Sequence, residues 1–441
     1  MTNNPPRQKS EFTFIKPSLT PVILHRPGSF FWKKINLGLA LLGIVAGYVP
    51  AAPAPELNAT PPSEISAALQ PFVDNHIIAG CVALVATKDK MLCLETVGYA
   101  DIETKKPMKA DTLFAIASMT KAHSCAAYMT LVDEGKMKVD DPVEKYIPEF
   151  KKLQMGDPDN PANLHAPSHP ITLKECMTHT AGLPPKIGQR KDFRPSFVSL
   201  KADAAAMAGK VPLNVEPGTK YQYSVGIDLV GAVVEVITGM RYADFMQKRL
   251  FDPLELKDAT FFPTQDQVNR LARTVKVTPD KQSIQNVNVN QGHQHNPAVP
   301  DGLLCQQTMD IVARYQNHCG GPSGGLFSTA EDVMKFCQML LNDGEYHGKR
   351  ILSPEAVKMM TTNEIKGIGN YGFGLVTMEN DPQFSPGSYN HRGARSTMMW
   401  VDKQRGLVLV LLLQASDDLG QKEKELYHAF TTAAFAKYGS H

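Results

Sequence analysis

Phe114-Ala-Ile-Ala-Ser118-Met-Thr-Lys121 carries the chain out of a short β-rich stretch, Thr112–Ile116, and into a long helical pattern. From Ser118 to Glu134 the apolar residues Met119, Ala122, Ala126, Met129 and Leu131 give the segment an apolar side, and Gly135 supplies a C-terminal stop. Positions i and i+3 at a helix start share one face, so Ser118 and Lys121 are expected to point into one cleft. Ser118 alone of the twenty serines has lysine three places on. A serine hydroxyl is a poor nucleophile until a nearby base takes its proton. A lysine can be that base only when neutral, a state that desolvation and a nearby cation favour. The helix N-terminus also favours negative charge developing on the serine oxygen. By themselves, the four residues read more plainly as an N-cap serine followed by a solvent-facing lysine.

Outward from this stretch, strand patterns lie at both ends of the chain and helical patterns fill the middle. Cys81–Thr87 and Met91–Val97 are β-rich runs joined by a Lys88–Lys90 turn, a hairpin signature. Ser396–Val401 and Leu407–Leu413 are apolar strands around a turn at Asp402–Gly406, followed by an amphipathic helix from about Gln421 to Lys437. Helices are expected over Ser63–Asn75 (disturbed at Pro71), Thr172–Thr178, Asp228–Leu250 and Glu331–Leu341, the last opened by a Ser328/Glu331 capping box, and another opens at Ser353-Pro354. Residues 153–170 read as an exposed loop, and the Gln/Asn-rich stretch 264–303 as an irregular surface insertion. The fold class is therefore α+β: one antiparallel sheet built from both chain ends, flanked by helices, with a mostly helical inserted subdomain. The sheet part covers about 60–110 and 320–441 and the helical part about 111–319, all within a domain at 55–441.

Further runs accompany the first. Phe114–Lys121 continues through Asp133-Glu-Gly135-Lys to Asp140-Asp-Pro142-Val-Glu-Lys-Tyr-Ile-Pro148. Then come Thr178-His179-Thr180-Ala181-Gly182-Leu183-Pro184, Pro217-Gly218-Thr219, Gly324-Gly325-Leu326-Phe327-Ser328-Thr329 and Ile351-Leu-Ser353-Pro354. In this order the runs resemble the serine β-lactamase-related family, which includes class C β-lactamases, D,D-peptidases and family VIII esterases, over roughly residues 62–437. The resemblance implies a β-lactamase/transpeptidase-like fold, Ser118 as nucleophile and Lys121 as its base. It places Tyr223-Ser224-Val225 at the second motif, with Tyr223 as second base. A tyrosine has an ordinary pKa near 10, and Lys121 close by is expected to favour the Tyr223 anion. Tyr221, two residues away, is expected on the same side of a strand. Val225 stands where the β-lactamases carry an asparagine amide that orients the substrate amide, a departure shared with family VIII esterases. His391-Arg392-Gly393 resembles the third motif. There His391 is expected to hydrogen-bond Tyr223 or a substrate carboxylate, and Gly393 to let substrate approach the backbone. The N–H groups of Ser118 and Ala394 would form the oxyanion hole. Arg395 reads equally as a carboxylate anchor or a solvated strand residue.

The implied function is a serine hydrolase working through an acyl-enzyme, most simply a carboxylesterase on short-chain esters. A D,D-carboxypeptidase, D-aminopeptidase or β-lactamase, and a non-turnover penicillin-binding sensor or scaffold, are the competing readings. Gly321-Pro322-Ser323-Gly324-Gly325 also satisfies Gly-x-Ser-x-Gly, but Leu326 and Phe327 intervene before the next helix, so Ser323 reads as a loop residue beside the site. The chemistry needs no cofactor and no metal. His293-Gln-His295 has no local Asp/Glu or Cys cluster and reads as solvated loop.

Seven cysteines without a C-x-x-C argue against zinc ribbons and redox pairs and read as buried single thiols. A net charge of +2 with mixed signs points away from nucleic acid and leaves a small-molecule ester or peptide as partner. At the N-terminus, Lys33-Lys34, the apolar run Ile35–Val49 and the small residues and prolines from Pro50 to Pro55 describe a signal peptide for export to the periplasm or exterior. The long stretch Met1–Trp32 ahead of it makes an uncleaved membrane anchor the other reading of the leader, residues 1–54.

Overall fold

The hairpin expected at Cys81–Val97 is the seed of the main sheet in the computed structural model, which describes residues 63–157, 160–185, 199–278, 283–286, 321–415 and 419–439. The described residues fall within one unit, Thr60–His441. The expected leader, His293, His295, Cys305, Cys319 and most of the 264–303 insertion lie outside the described residues.

In chain order the first elements are α1 (Glu64–Asp74), β1 (Gly80–Thr87), β2 (Met91–Asp101), β3 (Lys106–Pro107), β4 (Phe114–Ala115) and α2 (Thr120–Asp133). The middle holds α3 (Leu173–Met177), α4 (Leu200–Ala208), α5 (Gly226–Thr238), α6 (Tyr242–Met246), α7 (Gln265–Arg270), β5 (Val275–Val277) and β6 (Ile284–Asn286). Then follow β7 (Phe327–Ser328), α8 (Ala330–Leu341), β8 (Glu345–Tyr346), β9 (Lys349–Arg350), α9 (Pro354–Thr361), β10 (Val376–Thr377), β11 (Tyr389–Arg392), β12 (Met398–Asp402), β13 (Leu407–Leu412) and α10 (Gln421–Tyr438).

The main sheet runs β10-β11-β12-β13-β1-β2-β3, antiparallel throughout, and joins the two chain ends at its centre, where Leu84 faces Val410. Successive side chains of a strand point to opposite faces. Accordingly Val82, Leu84 and Ala86 of β1 enter the core shared with α2, α5 and α8, while Cys81, Ala83 and Val85 enter a second core under α1 and α10. Both faces of β1 and β13 are covered, which is why these strands read as unbroken apolar runs.

Helix α2 is buried around nearly its whole circumference, although one side carries Thr120, Lys121, His123 and Ser124. Each of these finds a partner. The Thr120 hydroxyl donates to the Ala117 carbonyl (2.6 Å), His123 Nδ1 bonds the Met119 carbonyl (3.1 Å), and the Ser124 hydroxyl donates to the Pro322 carbonyl (2.7 Å). The apolar stripe expected from the sequence is only part of what this helix buries.

Four local readings need correction. The helix expected over Asp228–Leu250 breaks at Gly239, which takes a left-handed φ of 67° that favours glycine, and resumes as α6 and a π-type turn, Gln247–Phe251. Thr329, not Ser328, caps α8 and accepts from Asp332 N–H, because Ser328 is committed to β7 opposite Phe114. The stretch after 264 is not wholly irregular, since it forms α7 and the β5/β6 pair. Helix α1 runs through Pro71 without a break. Among the described residues, Cys81, Cys93, Cys125, Cys176 and Cys337 are free thiols, and no helix is long and apolar enough to cross a membrane.

Candidate active site

The approach to Ser118 is fixed by pairing on both sides. Ala115 of β4 lies opposite Phe327 of β7, and Ile116 N–H donates to the Leu326 carbonyl (3.0 Å). Ala117 then adopts φ 46°, a left-handed conformation that costs a residue with a Cβ of the order of 1–2 kcal/mol. This turns the chain sharply into a 3-10 turn, Ala117–Met119, that feeds α2. Thr120 stitches the corner by accepting from Leu326 N–H (3.2 Å). Strain of this kind is held by its surroundings and collects at functional sites.

One turn along, Lys121 is 3 % exposed, so the solvent-facing alternative does not apply. Its Nζ donates to Ser118 Oγ (3.2 Å) and to the Ser323 carbonyl (2.5 Å). Desolvation lowers its pKa to about 8, against the opposing pull of Asp228 and Cys125. At pH 7.5 roughly a quarter of such amines are neutral, against about one in a thousand at the ordinary value of 10.5.

Tyr223 lies in the loop before α5, and residues 221–223 are not a strand as expected. The Lys121 amine sits 4.6 Å from the centre of the Tyr223 ring, and the phenol end is shielded although the residue as a whole is partly exposed. The expected Tyr223 anion is not favoured. Desolvation pushes the phenol up to about 12, more than the adjacent Ser118 hydroxyl and Arg392 pull it back. Lysine and tyrosine are thus driven apart, one towards a free base and the other towards a retained proton.

A wall of rings supports Tyr223. His179, in the Thr178–Pro184 run, packs 4.4 Å from it and 5.3 Å from Tyr371, with Tyr221 edge-on at 5.8 Å. His179 has φ 60° and accepts the Ser224 N–H at Nδ1 (3.2 Å), so Nε2 carries the proton. Burial, then the charges of Lys121 and His391, hold its pKa well below the ordinary value.

His391 lies in β11 opposite Met399, and its expected bond to Tyr223 is replaced by one to Tyr371. Its Nδ1 donates to the Arg392 carbonyl (2.8 Å), leaving Nε2 to accept the Tyr371 hydroxyl (3.1 Å). Burial lowers its pKa to about 3. Gly393 is required by a close approach: a Cβ there would stand 2.3 Å from the Ile116 carbonyl and 2.1 Å from Thr397 Oγ1. The turn that follows, Gly393–Ser396, therefore packs directly on the Ile116–Ser118 corner, and Ala394 on it is exposed. Arg395 lies in this turn at 7 % exposure and is not a solvated strand residue. Arg392 turns away to Glu423 of α10 (2.7 Å).

Val225 is the N-cap residue of α5 and makes no side-chain cap bond. Ser323 sits in a turn beside the site as expected. Its hydroxyl is bonded to Asp228, and a strand follows it, so it is no nucleophile elbow. The sequence reasoning missed Asp228, His179 and Tyr371 as parts of the site. Only His179 lay in a run already singled out. Among the described residues no cluster of His, Cys, Asp or Glu could hold a metal ion.

This geometry makes a testable statement about pH. If neutral Lys121 is the base, kcat/KM rises with pH through a midpoint near 8. A limb centred near 10.5, the ordinary lysine value, would contradict it.

Comparison with known proteins covers the same stretch of chain. A family model described as Beta-lactamase matches residues 65–433. Protein Rv1367c of Mycobacterium tuberculosis (strain ATCC 25618 / H37Rv) is 29 % identical over 382 residues, covering 80 % of this chain and 90 % of that protein. A relative from Escherichia coli (strain K12), named as a D-alanyl-D-alanine carboxypeptidase, is 29 % identical over 323 residues, 70 % of each chain. Among solved structures, EstCE1, described as a hydrolase with promiscuous acyltransferase activity, superposes with a TM-score of 0.67 at 23 % identity, over 83 % of this chain and 97 % of that one.

Proposed function

The chain belongs to the β-lactamase family and is a serine hydrolase of the β-lactamase/transpeptidase-like fold, and from that premise we propose that it cleaves short-chain carboxylic esters through an acyl-enzyme on Ser118. The observation that carries this is the pairing of Ser118 Oγ with a buried, easily deprotonated Lys121 amine at 3.2 Å.

Ser118 Oγ attacks the ester carbonyl and its proton passes to Lys121 Nζ. The negative oxygen that forms is held by the N–H groups of Ser118 and Ala394. Collapse breaks the bond to the alkoxy group, which takes the Tyr223 phenol proton and leaves as the alcohol, and the Lys121 ammonium passes the proton it took from Ser118 to the tyrosine, leaving the acyl-enzyme with a neutral lysine. In the second half, water gives its proton to Lys121 and attacks the acyl carbon. Ser118 then leaves the tetrahedral carbon, recovers the proton and frees the acid.

Val225 supports an ester over a β-lactam. It offers no amide at the start of α5, and an ester has no N–H to orient. The rings of Tyr221, Tyr223, His179 and Tyr371 make the surroundings largely apolar. Lys33-Lys34 and the apolar run behind them support export.

The test compares turnover of p-nitrophenyl butyrate, a chromogenic cephalosporin and a D-alanyl-D-alanine peptide. The ester is expected to exceed both others in kcat/KM by about a hundredfold or more. A cephalosporin rate equal to the ester rate would overturn the reading of Val225. Faster release of D-alanine would move the enzyme to cell-wall peptides.

A further inference from the structure

Resting on the assignment of Lys121 as base, we propose that Asp228 is a positioning residue of the reaction: through Ser323 it fixes the backbone carbonyl that seats the Lys121 amine, and its charge sets the pH range in which that amine works. Asp228 stands in the first turn of α5, and its carboxylate takes both donors of Ser323. The Ser323 N–H donates to Oδ1 (3.1 Å) and the Ser323 hydroxyl donates to Oδ2. Burial raises the Asp228 pKa, while these two Ser323 bonds and the nearby Lys121 ammonium favour its ionised form.

The Gly321–Gly325 turn thus held is wedged between two helices. From α2, Ser124 bonds its Pro322 carbonyl and Lys121 its Ser323 carbonyl. From α5, Gly231 lies so close beneath Pro322 that a Cβ would stand 2.8 Å from the ring. Without Asp228 the Ser323 N–H and hydroxyl lose their acceptor, the turn keeps only the Ser124 bond and its internal Gly324 and Gly325 bonds to the Gly321 carbonyl besides the lysine itself, and the seat of the lysine is loosened.

The groups facing Lys121 come from every neighbouring element. They are Ser118 and Cys125 on its own side, Tyr223 and His179 from loops, His391 from β11, and Asp228 from α5. The two histidines are held neutral by burial, and burial also raises Cys125, so Asp228 supplies the anion of this shell. Its field favours the ammonium form of Lys121 and delays deprotonation.

Three variants separate seat from charge. Asp228→Asn keeps an acceptor for the Ser323 N–H and lets the serine hydroxyl rotate to accept from the amide, but removes the charge. Asp228→Ala removes both, and Ser323→Ala removes one strut and leaves the charge. kcat/KM for p-nitrophenyl butyrate would be followed against pH for each, with thermal unfolding in parallel. The rising limb of Asp228→Asn is expected about half a pH unit or more below wild type, with its plateau within about threefold. Asp228→Ala is expected to lower the kcat plateau about tenfold or more with KM little changed, and Ser323→Ala to lower it less without moving the limb. A smaller or opposite limb shift in Asp228→Asn, or a wild-type plateau in Asp228→Ala, overturns the proposal. If Asp228→Ala does not fold, the limb of Asp228→Asn against that of Ser323→Ala decides. With Ser118→Ala inactive in the same assay, an unmoved Asp228→Asn limb rejects this role alone. An active Ser118→Ala rejects the functional reading itself.

Discussion

Ser118→Ala is expected to lower kcat/KM for p-nitrophenyl butyrate by about 10⁴-fold or more while shifting Tm by no more than about 2 °C. The chemical loss is complete because, among the described residues, no other serine hydroxyl is bonded to the Lys121 amine; that of Ser323 is bonded to Asp228. The structural loss is small because the lysine keeps its bond to the Ser323 carbonyl, so no buried donor is orphaned. The Ala117 corner is held by Leu326 and Thr120, not by the serine side chain. Steady-state kinetics with calorimetry checks both halves. Hydrolysis retained within tenfold of wild type would remove Ser118 from the mechanism.

Lys121→Met is the second large effect: kcat/KM is expected to fall about 10³-fold or more, yet the protein is expected to melt no lower than wild type at pH 7. Burial costs the ammonium dearly: moving its pKa from 10.5 to about 8 corresponds to roughly 3 kcal/mol, which an isosteric thioether chain avoids. The bond to the Ser323 carbonyl returns about 1 kcal/mol of that. The pH dependence follows in sign. Between about 8 and 10.5 the unfolded wild type binds a proton that the folded form has lost, so this lysine's contribution to stability rises with pH over that window. The margin of Lys121→Met over wild type should therefore narrow as pH is raised from 7 to about 9.5. A Tm for Lys121→Met well below wild type at pH 7 would mean that the lysine is held for stability.

The fold was legible where one local signal sufficed. The strands at 80–101 and 398–412 are apolar runs bounded by turns, and a helix start with Ser118 and Lys121 three apart follows from periodicity alone. Thr329 displaced Ser328 as a cap because a neighbouring strand claimed the serine first. Gly239 ended a helix whose apolar pattern runs on past it. Asp228, Tyr371 and the ring stack on His179 meet Lys121 and Tyr223 only through tertiary packing, across separations no sequence window spans. The raised pKa of Tyr223 is of the same kind. Proximity to a lysine argues for an anion, but burial, visible only in three dimensions, both strips that lysine of its charge first and raises the phenol.

The central strand pair has a consequence for how the protein comes into being. Val82 hydrogen-bonds across to a strand whose last residue, Leu412, is made roughly three hundred residues later. A nascent chain leaving the ribosome N-terminus first therefore carries β1 with one bare apolar edge for most of its synthesis, and the helix after Ser118 precedes the Gly321–Gly325 turn that seats Lys121. Closure of the sheet around the Ser118–Lys121 corner consequently waits for the end of synthesis, and a product cut short anywhere before β13 is left with a sticky, unpaired strand.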